Sequence, residues 1–258
     1  SLRQPLTTAQ LAAFHALVER RLRREPTAYI VGHKEFYDLE LEVTPAALIP
    51  RPETEVVVEE ALRLERARPR ESLRVVDVGT GCAAIALALA KHLPNAQVVA
   101  TDVSAEALAL AYRNAQRLGL AQSVQWVLAD LLAGLRGPFD LIVANMPYVK
   151  INQWPGLAPE IRLYEPRLAL DGGDDGLRCI RRLLAEAPQR LAAGGAIVLE
   201  MGWEQREAVV SLAQAFLPGA SVEIKRDLGG LERVAVIVTA GAGRPLAREY
   251  PQSSAIIP

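Results

Sequence analysis

The sequence predicts an α/β fold, a doubly wound sheet of seven strands closed by an antiparallel hairpin, with a small helix-and-hairpin module in front of it. Three observations predict it. From Leu73 onward, short apolar runs alternate with stretches of helical length and periodicity. The run at 141–144 is wholly apolar, as in a parallel strand buried on both faces. The last two apolar runs flank Gly229-Gly230, which reads as a hairpin turn.

Half of the 258 residues are apolar and the formal charge is −1, so a sizeable core is possible and no global basic field advertises nucleic acid. No apolar run approaches the roughly 20 residues that span a bilayer. The longest, 82–90, stops at Lys91. Cys82 and Cys179 lack a paired spacing, which argues against a disulfide framework or zinc site and makes a reducing cytoplasm the expected location. A start at Ser1 without Met is expected to be processed or trimmed.

In chain order, Leu11, Phe14, Leu17, Val18 and Leu22 share one face of a helix over 8–24, capped by Thr7 or Thr8 and stopped by Pro26. Its far face carries Arg20, Arg21, Arg23 and Arg24. Residues 29–43 read as an antiparallel unit with Gly32 at a turn or bulge. The next helix runs to about Ala67, with Pro52 in its first turn and Glu53 and Glu55 near its positive end. After a linker at 68–72 come strand 73–78, helix 84–92, strand 97–101, helix 105–118 capped by Ser104, and strands 124–128 and 139–144. Helix 177–191, strand 196–200 after Gly194-Gly195, helix 205–216 and the hairpin 221–227 with 233–239 complete the pattern. Residues 241–258 are rich in Gly, Pro and Ser and are expected to be disordered.

Two places in this pattern carry chemistry. The turn Val76-Asp-Val-Gly-Thr-Gly-Cys-Ala-Ala84 joins the first strand of the sheet to its first helix, where glycines let backbone approach a ligand. Asp102 follows at the next strand end, the place of an acid that binds ribose hydroxyls. Gly79, Gly81 and Ala84 also satisfy the dinucleotide pattern, so an oxidoreductase is weighed. Asp77 argues against it, since pyrophosphate about 4 Å from a carboxylate costs on the order of 4 kcal/mol. S-adenosylmethionine brings an ammonium and a sulfonium instead, and Asp130 and Leu131 follow the next strand where an adenine amino group and ring are held. The second place is Asn145-Met-Pro-Tyr148, an amide, a proline and a phenol at the end of a buried strand.

Asp77-Val-Gly-Thr-Gly, Asp102 and Asn145-Met-Pro-Tyr148 together resemble class I methyltransferases acting on planar amide or amine nitrogens. Tyr29-Ile-x-Gly, Phe36, Leu48-Ile-Pro-Arg-Pro-Glu-Thr-Glu55, Tyr164-Glu-Pro166, Ala169-Leu, Asp175-Gly, Leu199-Glu and Asp227-Leu-x-Gly narrow the match, over 6–239, to the protein glutamine methyltransferases called HemK or PrmC. The resemblance implies a Rossmann-like sheet and transfer of a methyl group from S-adenosyl-L-methionine to the glutamine of the Gly-Gly-Gln motif in peptide chain release factors. It implies cofactor contacts from Asp77, Gly79, Thr80, Gly81, Cys82, Ala83, Asp102, Val103, Asp130, Leu131 and Asn145, and catalysis by Asn145, Met146, Pro147 and Tyr148, without a metal. Neither a membrane nor direct contact with nucleic acid is expected. Residues 1–28 are expected to be the remnant of a longer helical substrate-binding domain, 29–68 a hairpin linker and helix, and 69–240 the methyltransferase domain.

Two departures from the family's pattern stand out. Cys82-Ala83 replaces a Ser-Gly-like end of the loop, damaging if φ at Ala83 is positive, and Met146 replaces a proline. Met146→Pro is therefore expected to raise methyl transfer. Residues 51–54 are read as structural and Glu200 as a wall of the site; 171–176 is read as a polar turn rather than a calcium loop, and His15, His33 and His92 form no cluster. Alternatives within the same chemistry are a ribosomal-protein glutamine or a nucleic-acid amine. A dinucleotide oxidoreductase and a cofactor-binding module without catalysis are the alternatives outside it.

Overall fold

The computed structural model describes residues 5–241, and apart from Gly241 the tail expected to be disordered lies outside the described residues. Helix α1 (Thr8–Leu22) begins on a capping box in which Thr7 and Gln10 satisfy each other's backbone N–H groups. A short α2 (Thr27–Val31) then leads into the hairpin β1 (His33–Phe36) and β2 (Leu39–Glu42). Gly32 is neither turn nor bulge of that hairpin: at φ 83° it ends α2, a left-handed cap that a Cβ would oppose. A 3-10 turn, Pro52–Thr54, runs into α3 (Glu55–Ala67).

Seven strands follow: β3 (Leu73–Val78), β4 (Ala96–Asp102), β5 (Val124–Leu128), β6 (Phe139–Asn145), β7 (Leu191–Glu200), β8 (Ser221–Arg226) and β9 (Glu232–Val238). Their order across the sheet is β5-β4-β3-β6-β7-β9-β8. The first five are parallel, and β9 runs antiparallel to both β7 and β8. Helices α4 (Ala84–His92), α5 (Ala105–Arg117), α6 (Pro159–Tyr164), α7 (Arg178–Glu186) and α8 (Arg206–Phe216) complete the chain. The winding reverses between β3 and β6, and a crevice opens beyond their carboxyl ends.

Two expected boundaries move. Strand β7 starts at Leu191, so Gly194-Gly195 lie inside it, at the place where its pairing with β6 shifts register. Helix α7 ends at Glu186 and gives way to a 3-10 turn, because Pro188 lacks the N–H that would continue it.

Every residue of β3 is buried, as are the first six of β6, and the polar exceptions to their apolar pattern, Arg74, Asp77 and Asp140, are buried with the rest. Phe36, Leu39 and Leu41 of the hairpin and Val57, Val58 and Ala61 of α3 share one buried cluster with Val75 of β3 and Leu87 of α4. Each such side chain withdraws enough apolar area to stabilise by about 1.5–3 kcal/mol. Helix α1 lacks this support: Leu11, Phe14, Leu17, Val18 and Leu22 all stay exposed, and none of its residues is buried.

Candidate active site

A cavity of about 500 Å³ occupies the crevice. Gly79, Thr80, Gly81, Cys82, Asp102, Val103, Asp130, Leu131, Asn145, Met146 and Pro147 all line it, so the structure brings these expected residues together. Asp77, Ala83 and Tyr148 are not in the lining. Arg51 and Thr54, from the segment that resembles a family stretch near the cofactor and is read as structural, line it too, as do Arg178 and Arg182, which the sequence does not mark.

The glycine-rich loop is built from beneath by Asp77. Its Oδ2 accepts from the Thr80 hydroxyl at 2.6 Å and from the Ala86 N–H at 3.1 Å, clamping the loop onto the start of α4. Its Oδ1 is buried and has no hydrogen-bond partner, and burial pushes its pKa up to about 7. Asp77 is therefore an anchor beneath the loop rather than part of the cavity lining, and its carboxylate does not itself face a bound ligand. The backbone turns left-handed three times, at Gly79 (φ 70°), Gly81 (φ 59°) and Ala83 (φ 68°). A Cβ on Gly79 would lie 2.5 Å from Cε of Met146, the movable end of a flexible side chain, so it is the positive φ that calls for glycine there. Ala83 carries the positive φ that its methyl opposes.

Asp102 stands at the tip of β4 and accepts from Gly81 N–H and Ser104 N–H, each at 2.9 Å. Those bonds fix its orientation against the loop, while burial raises its pKa. A carboxylate has about four acceptor positions, so capacity remains for ligand hydroxyls. Asp130, half exposed, pairs with Arg182 of α7 at 2.8 Å. Leu131, Val103, Ile85 and Ala47 give the cavity apolar walls that suit a flat ring. A ligand with vicinal hydroxyls and a planar base fits these acceptors and walls. Among the described residues no group of His, Cys, Asp and Glu forms a metal site.

At the end of β6, Asn145 donates from Nδ2 to Thr54 Oγ1 at 3.0 Å. Thr54 in turn donates to Glu200 Oε2 at 2.5 Å, and the Tyr148 hydroxyl donates to Glu200 Oε1 at 3.0 Å. Glu200 is buried at the end of β7, directly beside Asn145 in the sheet register. Burial lifts its pKa, with Arg233 opposing that shift, and burial also pushes the Tyr148 phenol up. Thr54 thus touches the amide that the sequence picks out, although residues 51–54 read as structural; its only signal was the Arg-Pro-Glu-Thr motif. The polar turn at 171–176 also has a use. Gly172 and Gly176 pack against the Tyr148 backbone so closely that a Cβ on either would lie within 2.8 Å of it. Gln205 ties the same strand end to the turn by donating from Nε2 to the carbonyls of Tyr148 and Gly176.

Met146 is buried in the second apolar cluster with its terminal methyl against Gly79. Its side chain is part of the cavity floor, so exchanging it for proline removes packing as well as adding rigidity.

A family model described as the methyltransferase small domain matches residues 58–157, and the PrmC N-terminal domain model matches residues 1–32. Over 233 residues the chain is 46% identical to the release factor glutamine methyltransferase of Moorella thermoacetica, covering 90% of this chain and 81% of that protein. With the protein of the same name from Geobacter sulfurreducens it shares 47% identity over 210 residues, 81% of this chain and 72% of the other. Among solved structures, a methyltransferase from Pyrococcus furiosus matches with TM-score 0.59 at 21% identity, covering 86% of this chain and 98% of that one, a likeness of fold. Clustered carboxylates around a left-handed glycine loop, an oriented amide at a strand end and close identity along most of the chain converge: the chain belongs to the release factor glutamine methyltransferase family.

Proposed function

We propose that the protein transfers a methyl group from S-adenosyl-L-methionine to the side-chain amide nitrogen of the glutamine in the Gly-Gly-Gln motif of peptide chain release factors, in the cytoplasm. The observation that carries the reading is Asn145, which lines the cavity and whose Nδ2 donates to Thr54, so that Oδ1 is kept as an acceptor. Family membership supports the substrate.

Asp102 suits the ribose hydroxyls, Asp130 the adenine amino group, and the left-handed loop Gly79–Gly81 the backbone approach to the cofactor's amino-acid end. When bound, the cofactor supplies an electrophilic methyl on a sulfonium. What the chain supplies is alignment. An amide nitrogen is a weak nucleophile because its lone pair is delocalised into the carbonyl. Asn145 Oδ1 and the main-chain carbonyl of Met146 each accept one hydrogen of the substrate NH2, turning the nitrogen's remaining electron pair toward the methyl. No side-chain base is needed before transfer, since the nitrogen sheds its extra proton afterwards. Apolar walls at Leu131 and Met146 keep water from competing for these hydrogen bonds.

Asn145→Ala is expected to abolish incorporation of labelled methyl into a release factor while leaving S-adenosylmethionine affinity by calorimetry within a fewfold of wild type. Retained turnover in that variant, or equal labelling of a release factor whose motif glutamine is replaced, would refute the proposal.

A further inference from the structure

Hydrogen counting around Glu200 shows that Asn145 does not choose its own orientation. A threonine hydroxyl has one hydrogen to give. Thr54 gives it to Glu200 Oε2 at 2.5 Å, so toward Asn145 its Oγ1 has only lone pairs to offer. The carboxamide must then present Nδ2, and it does, at 3.0 Å. With the opposite flip, Oδ1 would face Oγ1 with no hydrogen between them. On the other side of Glu200, Tyr148 donates to Oε1 at 3.0 Å, so the second carboxylate oxygen is engaged and the group does not rotate away. The members come from four stretches of chain: the 3-10 turn Pro52–Thr54, the end of β6, the residue after Pro147, and the end of β7. Thr54 and Glu200 are both nearly inaccessible, where an unmatched hydrogen bond is costly.

We infer that Thr54 and Glu200 are positioning residues that lock the flip of the Asn145 carboxamide, making the site an acceptor that selects a donor NH2 over a carboxylate or other acceptor group. This inference rests on the methyl-transfer reading above for its consequence in catalysis, and on hydrogen bonding alone for the lock itself. Glu200→Gln scrambles the lock, because a carboxamide has one accepting and one donating end and cannot receive from both Thr54 and Tyr148. Thr54→Val keeps the shape and removes both the acceptor and the donor. Thr54→Ser keeps both.

The experiment has two readouts. In protein labelled with nitrogen-15 asparagine, the Asn145 side-chain amide signal, assigned by its loss in Asn145→Ala, is expected to exchange slowly with solvent in wild type. Thr54→Val should make that exchange at least tenfold faster, and Thr54→Ser should restore it. In steady-state assays on a release factor, Thr54→Val is expected to lower kcat about a hundredfold, the scale of a misplacement of about 1 Å, with KM for S-adenosylmethionine unchanged and Thr54→Ser near wild type. Unchanged exchange in Thr54→Val overturns the lock. Full kcat in that variant, with wild type active, overturns its catalytic role. A wild type that shows the protected amide but methylates no release factor refutes the proposed function and leaves the lock standing.

Discussion

Ala83 is the residue where local strain is plainest. It stands immediately before α4 at φ 68° and is fully buried, so a positive φ has been accepted with a Cβ in place. Left-handed backbone costs an L-residue roughly 1–2 kcal/mol relative to glycine. Ala83→Gly is therefore expected to raise unfolding free energy by about 1 kcal/mol in urea titrations, and a neutral or lower value would show that the methyl's packing outweighs its strain. Beside it, Asp77 stores a different kind of cost. Its pKa in the fold, about 7, lies above the ordinary 3.8, so the folded state favours the protonated form. The resulting stability is fully present below pH 4 or so and is lost as pH rises through 7. Asp77→Asn should flatten that decline between about pH 4 and pH 7; an equally steep decline in the variant would remove Asp77 as its source. Glu200 adds a second dependence, in activity. Its carboxylate is faced by Thr54, Tyr148, Arg233 and Glu53, and burial raises its pKa. Once it takes up a proton, Thr54 is free to turn its hydrogen toward Asn145. Activity is expected to fall on the acid side with a midpoint above that of an ordinary glutamate, and an acid limb unchanged in Glu200→Gln would exclude that assignment.

Helices and strands differ sharply in how firmly they are held. The β3 and β6 backbones lie between two buried clusters, whereas α1 contributes no buried residue. What fastens α1 is polar: Arg21 and Arg24 both reach Glu160, at 2.9 and 3.0 Å, and Tyr164 Oη donates to the Arg23 carbonyl at 2.7 Å. Exposed ion pairs of this kind are screened by solvent and add little to stability. Amides of α1 are accordingly expected to exchange through local opening, far faster than those of β6, and faster still in Glu160→Ala; equal protection of the two elements would contradict this account. Helix α5 was readable because its apolar period agreed with its Ser104 cap. The first half of β7 was not, because Gly194-Gly195 reads as a turn although the strand runs through it with a register shift against β6. Residues 27–31 were missed as a helix because five residues give no period to detect.

Across the whole molecule, residues far apart in sequence share one interior. The sequence separates a leading module from the sheet at 68–72, yet Phe36, Leu41, Val57 and Val58 are buried with Leu87 and Leu89. A chain beginning at residue 69 is therefore expected to expose this surface, bind a hydrophobic dye and lack a cooperative melt; a sharp two-state transition in that fragment would show that the sheet is self-sufficient. The same scale explains what was legible in the site. Asn145, Gly79, Gly81 and Asp102 sit at strand ends, so alternation and spacing locate them. Thr54 and Glu200 are 146 positions apart, and their pairing depends on β7 lying beside β6 while α3 packs on both. No local pattern carries that information; the matched motifs mark both residues without saying that they meet.

The sheet order also sets a timetable. As the chain is made from its amino end, Thr54 and Asn145 emerge well before Glu200, and the strand that covers the outer edge of β7, β9, comes later still. A growing chain can already carry its glycine loop and the two strands flanking it while its amide is free to flip. Methyl transfer competence is thus gained when β7 docks and is sealed, rather than when the residue that performs it first appears.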